Sequence, residues 1–289
     1  MLRGEGAHRE DEEDFVRISG KTRVVGLFGY PVEHSLSPFM HNAAFAYLNV
    51  AYCYVTFPVS PDLLADAVQS IRALGIKGVN ITVPHKERVI PFLDAVSEEV
   101  SFIGAVNTIA NNNGFLRGYN TDGRGFMESL SEAGIPYDQK RVLIIGAGGA
   151  CRAVAYYLSQ RVEQLRIFDI DEQKRERVVK DLGTFRGNVT SMEELDTLND
   201  VDIVINATPL GLKDTDPPPL NTSLLSEPMT VCDLIYRDTA LLRAASEKGC
   251  RTLNGLGMLL HQGALAFEIW TGIRPPVEIM RKALQAALP

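Results

Sequence analysis

A glycine-rich turn between an apolar run and a helical pattern restricts the fold of this chain more than any other feature. Residues 142–145 are apolar, a helical pattern begins near Cys151, and five small residues lie between them: Gly146, Ala147, Gly148, Gly149 and Ala150. Gly146 permits a tight turn. Gly148 lets the main chain approach a pyrophosphate, which the free N–H groups at a helix start stabilise. The segment predicts a dinucleotide-binding β-α-β unit; the alternative is a tight turn without a ligand.

An acidic residue stands where such a unit contacts the ribose of adenosine. Asp169 ends the next predicted strand, and a carboxylate there accepts hydrogen bonds from the ribose diol. A 2′-phosphate would meet like charge at Asp169 and Asp171, which favours NAD over NADP. Basic residues on the next predicted helix would offset part of this repulsion: Lys174, Arg175 and Arg177. The alternative for Asp169 is a helix cap or a turn residue.

Composition argues against several classes of protein. The 289 residues include 29 basic and 36 acidic side chains, a net charge of −7, so nucleic acid would be repelled on average. The chain contains no CxxC pair, no His at metal-ligand spacing and no apolar stretch of about 18 residues, and its first twenty residues include an unbroken acidic run at positions 10–14. We therefore expect a cytoplasmic protein without a bound metal or membrane span, with an acidic, solvated tail over residues 1–20.

Two α/β regions follow one another along the chain. Apolar runs alternate with helical patterns as β-α-β-α-β over residues 23–83, and a second such series begins at residue 141. Strands joined by helical crossovers pair in parallel, so a mainly parallel sheet is expected in the first region. We predict an α/β protein with a substrate-binding domain over residues 21–121, on which the C-terminal helices of residues 256–289 pack. A Rossmann-type dinucleotide-binding domain would cover residues 122–255.

Polar residues cluster in the loops that follow the predicted strands of the first region. They lie in four segments: 29–38, 80–86, 104–108 and 118–123. Ligands bind outside the carboxyl ends of parallel strands, so these loops are expected to converge on one pocket. Neutral donors and acceptors with one cation and one anion suit a small polyhydroxylated substrate. Simpler alternatives remain: Ser35, Ser37 and Asp122 would cap helices, and Lys86 would be a solvated lysine.

Seven short sequence motifs, which we call words, together resemble those of one protein family. In chain order they are HSLSP from His34, NITVPHK from Asn80, GAVNT from Gly104, NTDGRG from Asn120, GAGGACRA from Gly146, NATPLG from Asn206 and NGLGMLLHQGA from Asn254. Their order and content resemble the shikimate dehydrogenase family, whose members reduce 3-dehydroshikimate with a nicotinamide dinucleotide. The resemblance extends from about residue 24 to the C terminus.

The resemblance implies roles for residues in these words. Lys86 and Asp122 would be the catalytic pair: a cationic amine stabilises negative charge developing on the substrate oxygen and supplies a proton, while the carboxylate orients the amine. The residues implied to bind the substrate are Ser35, Ser37 and Tyr236 at its carboxylate and Asn80, Thr82, Asn107 and Gln262 at its ring substituents. Those implied to lie near the nicotinamide end of the cofactor are Thr208, Gly255 and Met258.

Two departures from the family pattern keep alternatives open. Asp169 and Ile170 stand where NADP-specific members carry an Asn-Arg pair, so the resemblance implies NAD or NADP with NAD favoured. NAD-using relatives often oxidise quinate, which makes a quinate/shikimate dehydrogenase the nearest alternative. The loop after Tyr236 is shorter than usual.

A non-catalytic dinucleotide-binding sensor is a remote alternative, because both Lys86 and Asp122 are present. The expected partners are the small-molecule substrate and a second copy of the chain in a homodimer.

Overall fold

Strands of the chain form two six-stranded sheets in the computed structural model, which describes residues 18–184 and 186–288. The strands are β1 Arg23–Gly29, β2 Tyr52–Pro58, β3 Gly78–Ile81, β4 Ala95–Val96, β5 Thr108–Asn112, β6 Phe115–Tyr119, β7 Arg141–Ile145, β8 Gln164–Phe168, β9 Val189–Ser191, β10 Ile203–Asn206, β11 Thr230–Asp233 and β12 Arg251–Leu253. Of the predicted acidic tail, residues 1–17 lie outside the described residues.

The helices alternate with the strands through most of the chain. They are α1 Ser37–Tyr47, α2 Leu64–Ala73, α3 Glu98–Ile103, α4 Asp122–Glu132, α5 Gly149–Leu158, α6 Glu172–Gly183, α7 Ala240–Glu247, α8 Leu256–Thr271 and α9 Val277–Ala286. We call β1–β6 with α1–α3, α8 and α9 the first lobe, and β7–β12 with α5–α7 the second lobe. None of the helices among the described residues is both long and apolar enough to cross a membrane.

The sheet of the first lobe is mixed, with the order β2-β1-β3-β5-β6-β4. The predicted parallel pairing holds for β1 with β2 and with β3, whereas β5 is antiparallel to both β3 and β6. The reversal between β5 and β6 comes from the two-residue turn Asn113-Gly114, in which both residues have positive φ, 55° and 93°. An Asn-Gly pair favours this hairpin turn because both residues tolerate the left-handed conformation. The turn brings the segments before and after the hairpin to one end of the sheet.

The sheet of the second lobe is entirely parallel, with the order β12-β11-β10-β7-β8-β9. Read from β9, this is the doubly wound order of a Rossmann-type unit, in agreement with the prediction. The strands predicted to begin at Arg141 and Arg251 do so, whereas β9 was not predicted. β7 lies beside β10 where the strand order reverses, and a ligand crevice forms at this point of such sheets.

The C-terminal helices pack on the first lobe, as predicted. Phe267 of α8 and Met280 of α9 lie in one buried cluster with Val25 of β1 and Phe45 of α1. The indole N–H of Trp270 donates to the carbonyl of Ile109 in β5, at 3.0 Å. Helix α4 packs against both α8 and α5, and so connects the two lobes. The predicted domain boundary before Asp122 therefore falls at the start of this connecting helix.

Candidate active site

A lysine and an aspartate from separate segments meet between the lobes. Lys86 follows β3, and Asp122 is the first residue of α4. The Nζ atom of Lys86 lies 2.5 Å from Oδ2 of Asp122. The Asp122 side chain is only 7% exposed and that of Lys86 is 23% exposed, so the carboxylate is fixed inside the protein while the amine reaches solvent. Lys86 is therefore a paired lysine, and the alternative of a freely solvated side chain does not hold.

Asn107 holds the carboxylate of this pair in place. Its Nδ2 donates to Oδ1 of Asp122 at 2.8 Å, while Oδ2 of Asp122 contacts Lys86. The Oδ1 atom of Asn107 accepts from the main-chain N–H of Thr121 at 2.8 Å. Asp122 is the first residue of α4 and Thr121 is its N-cap, so the charge of Asp122 lies at the helix start, where the helix dipole stabilises an anion. Both carboxylate oxygens thus have a partner, which keeps the pair in one geometry.

A cavity of about 460 Å³ opens beside the pair. Its walls include twelve of the predicted site residues: Ser35, Ser37, Asn80, Thr82, Lys86, Asn107, Asp122, Ala150, Tyr236, Gly255, Met258 and Gln262. The hydroxyl of Ser35 accepts a hydrogen bond at 3.3 Å from the N–H of Ser37, the first residue of α1, whereas the N-cap residue Leu36 makes no side-chain capping bond. Ala150, Gly255 and Met258, predicted to contact the cofactor, lie in the wall of the same cavity as the lysine. The cavity is therefore shared between residues predicted for the substrate and residues predicted for the cofactor.

A second cavity, of about 780 Å³, lies over the glycine-rich turn. The predicted residues in its walls are Gly146, Ala147, Gly148, Asp169 and Thr208. Gly149 is the first residue of α5, and it is not among the described residues that line either cavity. Gly146 has φ 105°, and a Cβ there would lie 2.9 Å from the carbonyl of Ala207, so the fold requires glycine. A Cβ at Gly148 would meet no protein atom within 4 Å, and this open space before α5 fits a pyrophosphate.

Asp169 anchors the glycine-rich turn from the end of β8. Its Oδ2 accepts from the N–H of Ala147 at 2.6 Å, and its Oδ1 accepts from the N–H of Asp171 at 2.8 Å. The helix cap of α6 is Asp171, which accepts from the N–H of Lys174. Asp169 is therefore a turn residue, which was one of the alternatives to ribose binding. It also lines the cavity. Ile170, between the two aspartates, is 95% exposed.

The basic residues near Asp169 differ in position. Lys174 and Arg177 line the cavity, and Nζ of Lys174 lies 3.3 Å from the carboxylate of Asp171. Arg175 is buried, and its guanidinium points to the main-chain oxygen of Asp169. Two of the three predicted counter-charges, Lys174 and Arg177, therefore line the same cavity as Asp169.

Two residues that hold Thr208 in place, Asn206 and Asp233, were not among the predicted site residues. Asn206, at the end of β10, accepts from the Thr208 hydroxyl at 2.7 Å and donates to Asp233 at 3.0 Å. Asp233 also accepts from the N–H of Ile235 at 3.0 Å, and burial raises the pKa of its carboxyl. Asn206 begins the word NATPLG, so the signal was present, but the partner Asp233 lies on a different strand.

Arg152 joins the two lobes beside the dinucleotide cavity. From α5 its guanidinium donates to the carbonyl oxygens of Ile103 and Phe102 at 2.5 and 3.0 Å, at the end of α3. The same group pairs with Asp181 of α6 at 2.8 Å. Arg152 is in the word GAGGACRA, but only the tertiary structure shows that it contacts the first lobe.

The histidines near these words do not form a ligand cluster. His41 is completely buried, and burial lowers the pKa of its imidazole to about 3. His85 is buried with Nε2 2.7 Å from the carbonyl of Val59. Among residues 18–184 and 186–288, no group of three or more His, Cys, Asp or Glu side chains is placed to hold a metal ion.

Family models of shikimate dehydrogenases match three parts of the chain. The shikimate dehydrogenase substrate binding domain matches residues 27–109, the shikimate/quinate 5-dehydrogenase model residues 129–211, and the shikimate 5′-dehydrogenase C-terminal domain residues 255–285. A curated relative, shikimate dehydrogenase (NADP(+)) of Desulforamulus reducens, is 48% identical over 280 residues, which cover 93% of this chain and 96% of the relative.

Solved structures agree with these matches. A shikimate dehydrogenase crystallised with NADP+ superposes with a TM-score of 0.90 at 41% identity, covering 95% of this chain and 99% of that one. Shikimate 5-dehydrogenase from Listeria monocytogenes, in complex with shikimate and NAD, superposes with a TM-score of 0.85 at 37% identity, covering 92% of this chain and 97% of that one. The chain belongs to the shikimate dehydrogenase family.

Proposed function

We propose that this protein is a shikimate dehydrogenase that catalyses the reversible reduction of 3-dehydroshikimate to shikimate, a step of chorismate and aromatic amino acid biosynthesis. One observation carries the proposal: the Lys86–Asp122 pair lines a cavity whose other walls hold neutral hydrogen-bonding groups. Such a set pairs with the hydroxyl groups of a small ring, and it would leave buried groups unpaired with an analogue that lacks them.

The proposed mechanism gives the pair two tasks. A nicotinamide dinucleotide bound at the glycine-rich turn would supply the hydride in reduction and accept it in the reverse direction. The Lys86 ammonium stabilises negative charge on the substrate oxygen and donates a proton to it. Asp122 orients the ammonium, and Asn107 fixes Asp122 through the bond at 2.8 Å. The pair is held before substrate binds, so little reorganisation is needed during the reaction.

The remaining cavity residues divide by the part of the substrate they would contact. Ser35 and Ser37 lie at the entry to α1 and would donate hydroxyl hydrogen bonds to the substrate carboxylate, with Tyr236 on the opposing loop. The ring hydroxyls would be held by Asn80, Thr82, Asn107 and Gln262. The dinucleotide would be held by the glycine-rich turn and Asp169 at one end and by Thr208, Gly255 and Met258 at the other.

A spectrophotometric assay of nicotinamide reduction tests this function. Shikimate with the preferred dinucleotide should give turnover, and quinate should give at least about tenfold lower kcat/KM if the site selects shikimate. Equal turnover of quinate would favour the alternative of a quinate/shikimate dehydrogenase. No absorbance change with either substrate and either dinucleotide would contradict the proposal and favour a dinucleotide-binding sensor.

We further propose that NAD is preferred over NADP. The support is local: the Asp169 and Asp171 carboxylates stand at the cavity, and the exposed Ile170 offers no charge to a 2′-phosphate. Lys174 is already paired with Asp171. The relative from Desulforamulus reducens is named for NADP+, so the preference has to be measured on this protein.

The ratio of kcat/KM values for NAD and NADP is the relevant measurement. We expect a ratio of at least about ten in favour of NAD, because an unpaired like charge weakens binding of the 2′-phosphate. Asp169→Ala should reduce the ratio, while Asp196→Ala, an exposed aspartate elsewhere in the second lobe, should leave it unchanged. A preference for NADP in the unmodified protein would refute this assignment.

We also propose that the protein is cytoplasmic and that it forms a homodimer. Cys53, Cys151, Cys232 and Cys250 are free thiols, which supports a reducing compartment such as the cytoplasm. The homodimer is tested by sedimentation equilibrium of the purified protein.

A further inference from the structure

We propose that Tyr54 is a positioning residue for the substrate: its hydroxyl orients the Asn80 amide so that Asn80 faces the cavity only as a hydrogen-bond acceptor. The inference rests on the proposed function, because it assigns Asn80 to the binding of a substrate hydroxyl. Tyr54 lies in β2, outside all seven words of the sequence.

The hydrogen bonds of Asn80 define the orientation of its amide. Its Nδ2 donates to the carbonyl oxygen of Asn107 at 3.2 Å and to Oγ1 of Thr108 at 3.1 Å. A main-chain carbonyl can only accept, so the amide nitrogen must face it and the amide oxygen must face the other way. Both protons of Nδ2 are therefore used inside the protein. What Asn80 can offer a ligand is the free lone pair of its oxygen.

Tyr54 determines where that oxygen points. Its hydroxyl donates to Oδ1 of Asn80 at 2.9 Å. The side chain is 1% exposed, and burial raises the pKa of the phenol well above its usual value, so the proton needed for this bond is retained. One lone pair of Asn80 is thus occupied by Tyr54, and the second remains for the cavity.

Helix α1 fixes Tyr54 from two consecutive residues. The Asn42 side chain forms two bonds with the main chain of Tyr54, accepting from its N–H at 2.8 Å and donating to its carbonyl at 3.0 Å. The His41 ring stacks on the Tyr54 ring, with centroids 4.5 Å apart and planes 2° apart. The same helix begins at Ser37, a proposed ligand of the substrate carboxylate. Helix α1 therefore couples the carboxylate end of the cavity to the Asn80 end.

This arrangement predicts a preference at one position of the substrate. The ring substituent that faces Asn80 must donate a hydrogen bond, which a hydroxyl can do and a keto or ether oxygen cannot. Without the Tyr54 hydroxyl, the amide oxygen loses its anchor and can turn away from the cavity. The cost should fall on substrate binding, because the Lys86–Asp122 pair does not touch Tyr54.

The experiment compares Tyr54→Phe with Tyr52→Phe. Tyr52 lies on the same strand and is also buried, but its hydroxyl contacts Trp270 and Arg23 rather than the cavity. For Tyr54→Phe we expect kcat/KM for shikimate to fall about tenfold through a higher KM, with kcat and the dinucleotide KM within about twofold of the unmodified values. Tyr52→Phe should stay within about twofold in all three. Equal losses in both variants, or no loss in Tyr54→Phe, would overturn the inference.

A double variant separates positioning from general weakening of the core. If Tyr54 acts through Asn80, the double variant Tyr54→Phe/Asn80→Ala should bind shikimate no more weakly than Asn80→Ala alone. Additive losses would overturn the inference. If Tyr54→Phe does not fold, Thr108→Val removes one partner of the same amide, together with a hydrogen bond to Oδ1 of Asn107, and should likewise raise the shikimate KM. An unchanged KM there would also overturn the inference. Absence of shikimate turnover by the unmodified protein would instead refute the proposed function, and the inference with it.

Discussion

The two lobes contribute different kinds of chemical group to the site. In the second lobe the groups at the glycine-rich turn are mainly main-chain N–H groups, and the turn is shaped by Gly146 and tied down by Asp169. In the first lobe the groups are side chains, and Asn107 connects them to Asp122 and Lys86. A main-chain site depends on the path of the backbone, whereas a side-chain site depends on every partner in the network. Substitutions in the two lobes should therefore impair the protein in different ways.

The largest expected effect is loss of turnover in the first lobe. Lys86→Ala should lower kcat by about a thousandfold, because it removes both the charge that stabilises the substrate oxygen and the proton donor. The dinucleotide dissociation constant, measured by fluorescence titration, should change by less than about threefold. Lys282→Ala, an exposed lysine on α9, is the matched control and should keep full activity. A kcat within tenfold of the unmodified value would remove Lys86 from the mechanism.

The lobes should also differ in their response to acid, since His41 lies in the core of the first lobe. With a pKa of about 3 in the folded state, against 6.5 for an ordinary histidine, His41 stays neutral when the unfolded chain takes up a proton. The free energy of unfolding should therefore fall as the pH drops below 6.5, by about 2 kcal/mol from this group between pH 7.5 and 5.

Urea unfolding at the two pH values measures this contribution. His41→Phe keeps an aromatic ring among Phe45, Phe267 and Trp270 but cannot titrate. The variant should lose about 2 kcal/mol less than the unmodified protein between pH 7.5 and 5. Parallel losses in both proteins would show that His41 is not protonated on unfolding in this range.

The smallest expected effect belongs to the main-chain site of the second lobe. Gly148→Ala should raise the dinucleotide KM about tenfold, because its Cβ would occupy the space in which a pyrophosphate approaches the turn. The free energy of unfolding should be unchanged or slightly higher, since that Cβ meets no protein atom. Gly183→Ala, where an added Cβ also meets open space, controls for the loss of a glycine and should leave the KM unaltered.

Gly146→Ala completes the contrast within the turn. Its φ of 105° and the nearby Ala207 carbonyl predict a loss of about 1–3 kcal/mol in unfolding free energy. If Gly148→Ala destabilised the protein as much as Gly146→Ala, glycine at both positions would serve the fold rather than a ligand.

Local patterns predicted the second lobe more completely than the first. Strands β7 and β10 are mostly apolar and β8 alternates polar and apolar residues, so each shows a local strand pattern. Helices α5, α6 and α7 follow β7, β8 and β11, which favours parallel pairing. In the first lobe the hairpin of β5 and β6 was missed, although Asn113-Gly114 is a strong turn signal. Its strands are rich in polar residues such as Asn111 and Asn112, which obscured the pattern. The three-residue strand β9 is too short to show a period.

The sequence by itself determined the α/β class and the glycine-rich turn, because these depend on periodicity and on local chemistry, and it predicted a part of the residues that line the two cavities. The tertiary structure alone decided that Arg152 reaches the end of α3, that Asn206 meets Asp233, and that Tyr54 points at Asn80. Each of these contacts joins segments 26 to 49 residues apart. A hydrogen bond forms only within about 3 Å, and no local pattern reports such a distance between remote segments.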